Sequence, residues 1–186
     1  MYAKHTRLSN LWRSTIVVFA ILFLGILGLT TCSLGAAPAA GTSATYVTAS
    51  DIDAALKQMP PGSTTYDKPL KTVDVGPYKV TIVILRRISK PGSEDSGLVH
   101  SRVTEVYEIL SGSGTLETGG TLVKGQPVDL TSEAAGPSVR GAIEGGDSRR
   151  VGPGDVIVIP PGMPHRFSKL EGTITYLVNR VEVAAK

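Results

Sequence analysis

The sequence predicts an all-β protein built around a single β-barrel, and three observations support this prediction. From residue 72 onward apolar residues recur at every second position, and the β-branched runs at 78–88 and 173–183 are typical of strands. Glycine and proline clusters separate such runs at short intervals, which favours a sandwich or barrel over a helical fold. The pattern does not repeat, so we expect one barrel domain at residues 72–186.

A linker and one short helix are expected at residues 40–71, ahead of the barrel. Ser50 is the expected N-cap, because Asp53 follows at the third helical position, where a carboxylate favours the positive end of a helix. Pro60, Pro61 and Gly62 end the helical pattern. We expect the apolar stripe of this helix to pack on the barrel.

The barrel strands are predicted in order along the chain. After the strand at 78–88 and a polar loop at 90–97, strands are expected at 103–110, 115–117, 121–123, 155–159 and 173–183, with another beginning near His165. The segment 124–150 is rich in glycine, proline, serine and acidic residues, so we expect a surface excursion there or, alternatively, a lid over the barrel mouth. Within it, a weak strand at 138–144 is expected to pair with residues 147–150.

Two stretches hold both histidines found beyond the first 40 residues. The first, at 98–114, contains His100 and, five residues later, Glu105. The second, at 154–167, brings in His165 after a strand and a tight turn. Neutral imidazoles together with one carboxylate form a mixed nitrogen and oxygen site suited to a divalent transition metal. His100, Glu105 and His165 are therefore the candidate metal ligands.

The two stretches resemble the two sequence motifs of the cupin superfamily. In the first, Glu105 is followed after six residues by Gly112, and in the second every step is matched, by Gly154, Pro160, Gly162 and His165. Two positions depart from the family pattern: Leu98 stands where the first histidine is usual, and Lys169 stands in place of a closing asparagine. The resemblance implies a jelly-roll barrel with a metal inside it, and a ligand set that lacks one histidine.

Strand parity sets a condition on the candidate site. Glu105 lies five positions after His100, an odd step, so in one regular strand their side chains would face opposite ways. A bulge or bend within residues 101–104 is therefore expected to bring them to a common face. The alternative for Glu105, which interrupts an apolar face, is a buried ion pair with Arg102 or Arg166.

The expected function is that of a metal-binding cupin that acts on or binds a small organic molecule in the barrel. Open metal positions suit dioxygenase-like or isomerase-like chemistry, and Tyr107 is the one candidate catalytic residue beside the ligands. The metal is one divalent ion of iron, manganese, zinc, nickel or copper. The alternatives are a non-catalytic ligand-binding module and a structural cupin whose metal site has decayed. A homodimer is also expected, because cupins often pair through exposed strand edges.

Composition places the chain among globular proteins and argues against a nucleic-acid surface. Three of the 19 basic residues precede residue 15 and no acidic residue precedes Asp51, so the rest of the chain is neutral.

Residues 1–39 are typical of a signal peptide: a basic start, an apolar run at 16–29 and small residues before Ala40. We expect export to the periplasm or the exterior without membrane attachment. An uncleaved membrane anchor, or a lipid-bearing Cys32, is the alternative.

Overall fold

The structure, a computed structural model, describes residues 43–90 and 96–183. One helix, α1 (Ala49–Leu56), precedes the strands, and a single 3-10 turn at Thr131–Glu133 interrupts them. The strands are β1 (Thr65–Val75), β2 (Tyr78–Ile88), β3 (Gly97–His100), β4 (Val103–Ser111), β5 (Gly114–Thr118), β6 (Thr121–Leu130), β7 (Gly136–Glu144), β8 (Asp147–Val151), β9 (Val156–Ile159), β10 (His165–Leu170) and β11 (Thr173–Val183).

Two antiparallel sheets make up the barrel and confirm the predicted all-β jelly-roll class. The five-stranded sheet has the order β1-β2-β11-β4-β9, and the six-stranded sheet has the order β6-β7-β3-β10-β5-β8. Their inner faces enclose a core in which Tyr176, Val83, Ile109 and Val178 are at most 1% exposed. Apolar residues alternate along these strands because successive side chains point to opposite faces, and one face is buried.

The helix forms where expected, but its N-cap is Thr48 and not Ser50. The Thr48 hydroxyl accepts from the backbone N–H of Asp51, and the Asp51 carboxylate accepts from the backbone N–H of Thr48. The same spacing of hydroxyl and acid occurs two residues later at Ser50 and Asp53, so the sequence offers two competing caps. Ala55 is buried where the helix packs on β1 and β2.

The first strand begins at Thr65, inside the segment that the sequence assigns to the linker and helix. The sequence pattern does not predict this strand, because Pro69 and the charged residues on either side of it are not typical of strands. Proline is tolerated in β1 because β1 is the edge of its sheet, and the register shifts beside it, between Pro69 and Lys71. The short strand β3 is likewise absent from the sequence prediction, which has a loop up to residue 97.

The expectation of a surface excursion at 124–150 is wrong. Most of this segment extends the six-stranded sheet, as the second half of β6, all of β7 and most of β8. β7 pairs with β6 on one side and with β3 on the other, opposite His100. Residues 147–150 do not pair back onto β7 but onto β5, with Ser148 opposite Glu117.

One motif glycine is fixed by a close backbone approach. Gly112, which ends the first motif, has φ +75°, and a Cβ placed there would lie 1.9 Å from the carbonyl oxygen of Thr173. No other residue fits such a position without moving the strand that follows. The glycine therefore allows the turn after β4 to pack directly against the start of β11.

The N-terminal predictions concern residues outside the described part of the chain. The signal peptide at 1–39, its cleavage before Ala40 and the alternative at Cys32 all lie there. Within the described residues, no helix has both the length and the apolar character needed to cross a membrane.

Candidate metal site

The structure brings all three predicted ligands together inside the barrel. His100 ends β3 and His165 begins β10 in the six-stranded sheet, while Glu105 projects from β4 in the facing sheet. Their exposed fractions are 4%, 6% and 1%. Each offers one potential ligand atom, and these atoms lie within 4.8 Å of one another.

A bend between the two sheets solves the parity problem. β3 ends at His100 and β4 begins at Val103, so the chain turns at Ser101 and Arg102 and passes from one sheet to the other. His100 and Glu105 then face each other across the barrel instead of lying on opposite faces of one strand. The prediction of a bulge or bend at residues 101–104 is confirmed, and its cause is this change of sheet.

The two histidine segments are joined through the turn that precedes β10. The backbone N–H of Gly162 donates to the carbonyl oxygen of His100 over 2.8 Å. Gly162 itself has φ +80°, a conformation that glycine adopts at little cost. The Pro-x-Gly turn of the second motif therefore fixes the end of β3. The same turn also sets the position of His165, which follows it.

Hydrogen bonds at Nδ1, the ring nitrogen that points away from the site, set the orientation and the tautomer of both imidazoles. His165 Nδ1 lies 3.0 Å from the carbonyl oxygen of Met163, which only accepts, so Nδ1 carries the proton. His100 Nδ1 lies 2.7 Å from Ser138 Oγ, and that hydroxyl lies 3.0 Å from the carbonyl oxygen of Gly136. Since the single Ser138 proton goes to Gly136, His100 Nδ1 is also the donor. Both rings therefore turn Nε2 into the site, and in the neutral form of the ring that atom carries the lone pair.

The inward nitrogens converge on one oxygen of Glu105. His165 Nε2 lies 3.2 Å and His100 Nε2 lies 3.7 Å from Glu105 Oε2. Three electron-rich atoms at such distances repel one another unless a proton or a metal ion lies among them. Burial lowers the pKa of His100 to about 4 although Glu105 opposes the shift, so this ring stays neutral at ordinary pH.

Glu105 does form a buried ion pair, but neither predicted partner is involved. Arg180 donates from Nε to Glu105 Oε1 over 2.8 Å. Arg102 instead faces Glu182, and Arg166 pairs with Glu117. Burial alone would raise the pKa of Glu105, but contact with His165 and the charge of Arg180 hold it well below its usual range. The carboxylate is therefore ionised and has only Oε2 turned to the histidines.

Arg180 is the residue that the sequence analysis missed. It lies on the inward face of β11 in line with the core residues Tyr176 and Val178, and it is 4% exposed. A charged residue at an inward position of an apolar strand is the same signal that singled out Glu105. Asp67, on β1, accepts from the Arg180 guanidinium at 2.8 Å and 3.1 Å and completes the buried ion-pair network.

Tyr107 lies two residues from Glu105 on the same inward face. Its hydroxyl donates to Glu105 Oε2 over 3.0 Å, and its ring packs on Tyr176 with a centroid distance of 4.9 Å. Burial raises the pKa of Tyr107 well above its ordinary value, with the Glu105 charge adding to the effect. The hydroxyl therefore stays protonated and serves as a donor beside the candidate ligand oxygen. A catalytic role for it stays a prediction.

Leu98 faces the side of the site where a further histidine would stand. Strand pairing sets Leu98 directly opposite His165, and paired residues of antiparallel strands point to the same face. Leu98 also lies two residues before His100, again on that face, and it is half-buried. The vacant side of the cluster therefore has an apolar wall.

A cavity of about 330 Å³ adjoins the ion-pair network on its outer side. Thr81 lines it and is aligned by strand pairing with Arg180, which in turn is aligned with Glu105. The remaining lining residues are Thr72, Lys79, Thr131, Ala134, Gly136, Pro137 and Glu182. The cavity thus lies between the five-stranded sheet and the chain segment that follows β6.

The strands form two facing antiparallel sheets, the arrangement of a jelly-roll barrel, and both motif stretches lie within it. No family model and no curated protein matches the chain. Solved structures similar to it include an uncharacterized conserved protein with a double-stranded beta-helix domain from Klebsiella pneumoniae subsp. pneumoniae, with 11% identity, 77% of this chain and 95% of that chain covered, and a TM-score of 0.47.

Two further structures of this kind carry names. KdgF from Halomonas sp. is 16% identical, covers 69% of this chain and 86% of its own, and has a TM-score of 0.42. Recombinant oxalate oxidase in complex with glycolate is 19% identical, covers 69% of this chain and 55% of its own, and has a TM-score of 0.41. At these identities the likeness is one of fold and does not extend to substrate or reaction.

Proposed function

We propose that this protein binds one divalent transition metal through His100 Nε2, His165 Nε2 and Glu105 Oε2. The observation that carries the proposal is the convergence of three buried electron-rich atoms, two of them 3.2 Å and 3.7 Å from the third. Ligands held about 2.1 Å from a tetrahedral ion lie about 3.4 Å apart, so the spacing fits an ion of this size. Hydrogen bonds from the outer ring nitrogen, like those of His100 to Ser138 and of His165 to Met163, are the kind that orient metal-bound imidazoles.

The buried charges also favour a cation. Two buried carboxylates, of Asp67 and Glu105, share the single guanidinium of Arg180, so acidic groups outnumber basic ones in this ion-pair network. A divalent ion would reverse this excess, and burial makes the attraction strong. Iron, manganese, zinc, nickel and copper all accept this donor set.

We also propose that a small organic molecule binds beside this site. When bound, the metal would supply Lewis-acid polarisation or oxygen activation at positions that the protein leaves open. The residues of the chain would hold Glu105 through Arg180, donate a hydrogen bond from Tyr107 to Glu105 Oε2, and exclude water on the Leu98 side. The 330 Å³ cavity is large enough for a small ligand and is lined by three threonine hydroxyls.

A second candidate function is a structural cupin that holds no metal. The observation that favours it is the Arg180–Glu105 pair, which already neutralises the carboxylate. In that case a proton between His165 and Glu105 would take the place of the ion, and the cluster would only help to specify the fold.

Elemental analysis and metal titration of the parent and three variants decide between these functions. The parent should hold close to one equivalent of metal, Glu105→Gln should bind it at least tenfold more weakly, and His165→Ala should lose it. Glu108→Gln is the matched control, because Glu108 lies on the outward face of the same strand. Metal retained equally by Glu105→Gln and His165→Ala would contradict the proposed site. Turnover of oxalate, catechol or a keto acid by the loaded protein would then separate an enzyme from a binding module.

For localisation we propose export of the mature protein to the periplasm or the exterior. The proposal rests on the basic, apolar and small-residue pattern before Ala40. Intact-mass measurement of protein from the secreted fraction should give a chain that starts near Ala40. A mass that retains the first 39 residues, in material from the membrane fraction, would support the anchored alternative instead.

A further inference from the structure

Arg180 makes contact with three different parts of the protein at once. Its Nε donates to Glu105 Oε1 on β4, and its two terminal nitrogens donate to the two oxygens of Asp67 on β1. Nη1 also donates to the backbone carbonyl oxygen of Glu133, in the 3-10 turn after β6. A buried guanidinium satisfied in this way is held rigidly, because its donors form a planar fork.

The contact with Glu105 decides how the candidate ligand can bind. With Oε1 engaged by Arg180, the carboxylate cannot rotate without breaking a buried ion pair. Only Oε2 remains turned to the histidines, so Glu105 is prepared to act as a ligand through one oxygen. This orientation exists before any ion arrives.

The contact with Glu133 concerns a different element, which we name the rim loop: residues 131–137, the turn after β6 together with the first two residues of β7. Arg180 holds its first half through the Glu133 carbonyl. Its second half leads into Ser138, which accepts from His100 Nδ1. Ala135, between these two points, is 2% exposed although it belongs to a loop. Both halves of the rim loop are therefore attached to groups that touch a candidate metal ligand.

We propose that Arg180 is a positioning residue that couples the rim loop to the metal site, an inference that rests on the metal binding proposed above. With Arg180 in place, the same side chain holds the rim loop closed and fixes the orientation of Glu105. The carboxylate is therefore oriented for metal binding before an ion arrives. Without Arg180, the carboxylate and the loop move independently, and metal binding at Glu105 no longer orders the loop. Coupling of this kind is reciprocal: whatever the metal does to loop closure, loop closure does to metal affinity.

The rim loop also forms one wall of the 330 Å³ cavity, through Thr131, Ala134, Gly136 and Pro137. A molecule that occupies the cavity therefore contacts the same loop that Arg180 holds against the ligand carboxylate. Binding of a molecule in the cavity would therefore affect the orientation of Glu105 through the rim loop and Arg180.

The test compares Arg180→Lys with the parent and uses Co(II) as the probe. Lysine keeps the positive charge but cannot reach both carboxylates and the Glu133 carbonyl together. Arg102→Met is the matched control, because Arg102 faces the partly exposed Glu182 outside the network. The readouts are Co(II) affinity, its visible absorption spectrum and hydrogen exchange of peptides that cover the rim loop, with and without Co(II).

In the parent and in Arg102→Met, Co(II) should slow hydrogen exchange in the rim loop. In Arg180→Lys, affinity should fall about 10- to 100-fold, as is usual when an outer partner of a metal ligand is lost, and Co(II) should no longer protect the loop. Equal affinity and equal loop protection in Arg180→Lys would overturn the inference.

Failure of metal binding would be distinguished from failure of the coupling. If the parent does not take up Co(II), the proposed metal site is wrong, and the role of Arg180 is judged on the metal-free proteins. Arg180→Lys should then show faster exchange in the rim loop than the parent, with the rest of the barrel unchanged. Unchanged exchange in the loop would overturn the inference in that case also.

Discussion

Replacement of Leu98 by histidine should increase metal affinity, because Leu98 lies opposite His165 and on the inward face. Adjacent strands are about 4.8 Å apart, which brings an imidazole at residue 98 within reach of the ion that His165 would bind. Structural zinc sites with four ligands are worth about 10–16 kcal/mol, or roughly 2.5–4 kcal/mol per ligand. Loss of the half-buried leucine side chain lowers the stability of the metal-free and metal-bound forms alike by about 1 kcal/mol, so it does not change the affinity. The gain of about 2.5–4 kcal/mol corresponds to roughly 100- to 1,000-fold in affinity.

Competition titration with a chromophoric chelator measures this gain, with Zn(II) and Mn(II) as probes. Val99→His is the matched control, because Val99 is the next residue of β3 and points to the other face. The control should bind metal no more tightly than the parent. If Leu98→His keeps its circular dichroism spectrum and its affinity is unchanged, the inward orientation of residue 98 or the site itself is wrong.

Three further predictions follow from the same contacts. Ser138→Ala removes the acceptor of His100 Nδ1 and should weaken metal binding about 10- to 100-fold in titration, whereas Ser101→Ala should not. In the metal-free protein the pKa of His100 is about 4 against 6.5 in the unfolded chain, so stability is lost as the pH falls through that window. Urea unfolding should show a loss of up to about 3 kcal/mol that His100→Asn removes, and a flat profile would refute it. Light scattering at micromolar concentration should give a dimer mass for the parent and a monomer mass for Val158→Lys, because Val158 is exposed on an edge strand; a monomeric parent would contradict the dimer.

The candidate site was predictable from the sequence to the extent that its signals were local. Glu105 and the glycine turns stand out by spacing, and the bend after His100 follows from parity alone. Arg180 lies 75 residues from Glu105, and no spacing rule links them. Its position on an apolar inward face marks it as buried, but only strand pairing shows which carboxylates it meets.

The other residues and strands that the sequence did not predict are also defined by long-range strand pairing. Ser138 lies in a stretch whose composition is typical of a loop, yet β3 pairs with it and turns its hydroxyl to His100. The strand β3 is only four residues long and is defined mainly by its neighbours. Asp67 belongs to an edge strand that contains a proline, so its sequence does not predict a strand. Tertiary contacts decided each of these elements, and local preference did not.

The four sheet edges differ in a way that bears on assembly. β1 is interrupted beside Pro69, β6 contains Pro127 and a register shift, and β8 carries charged side chains along residues 147–150. Among these edges β9 presents the most exposed aliphatic side chains, with Val156 and Val158 more than 60% exposed. If two copies pair through this one edge, each uses up the only edge that can receive another chain. Association would then close at two copies, and growth into a filament would be blocked by the proline, the register shifts and the charges on the other three edges.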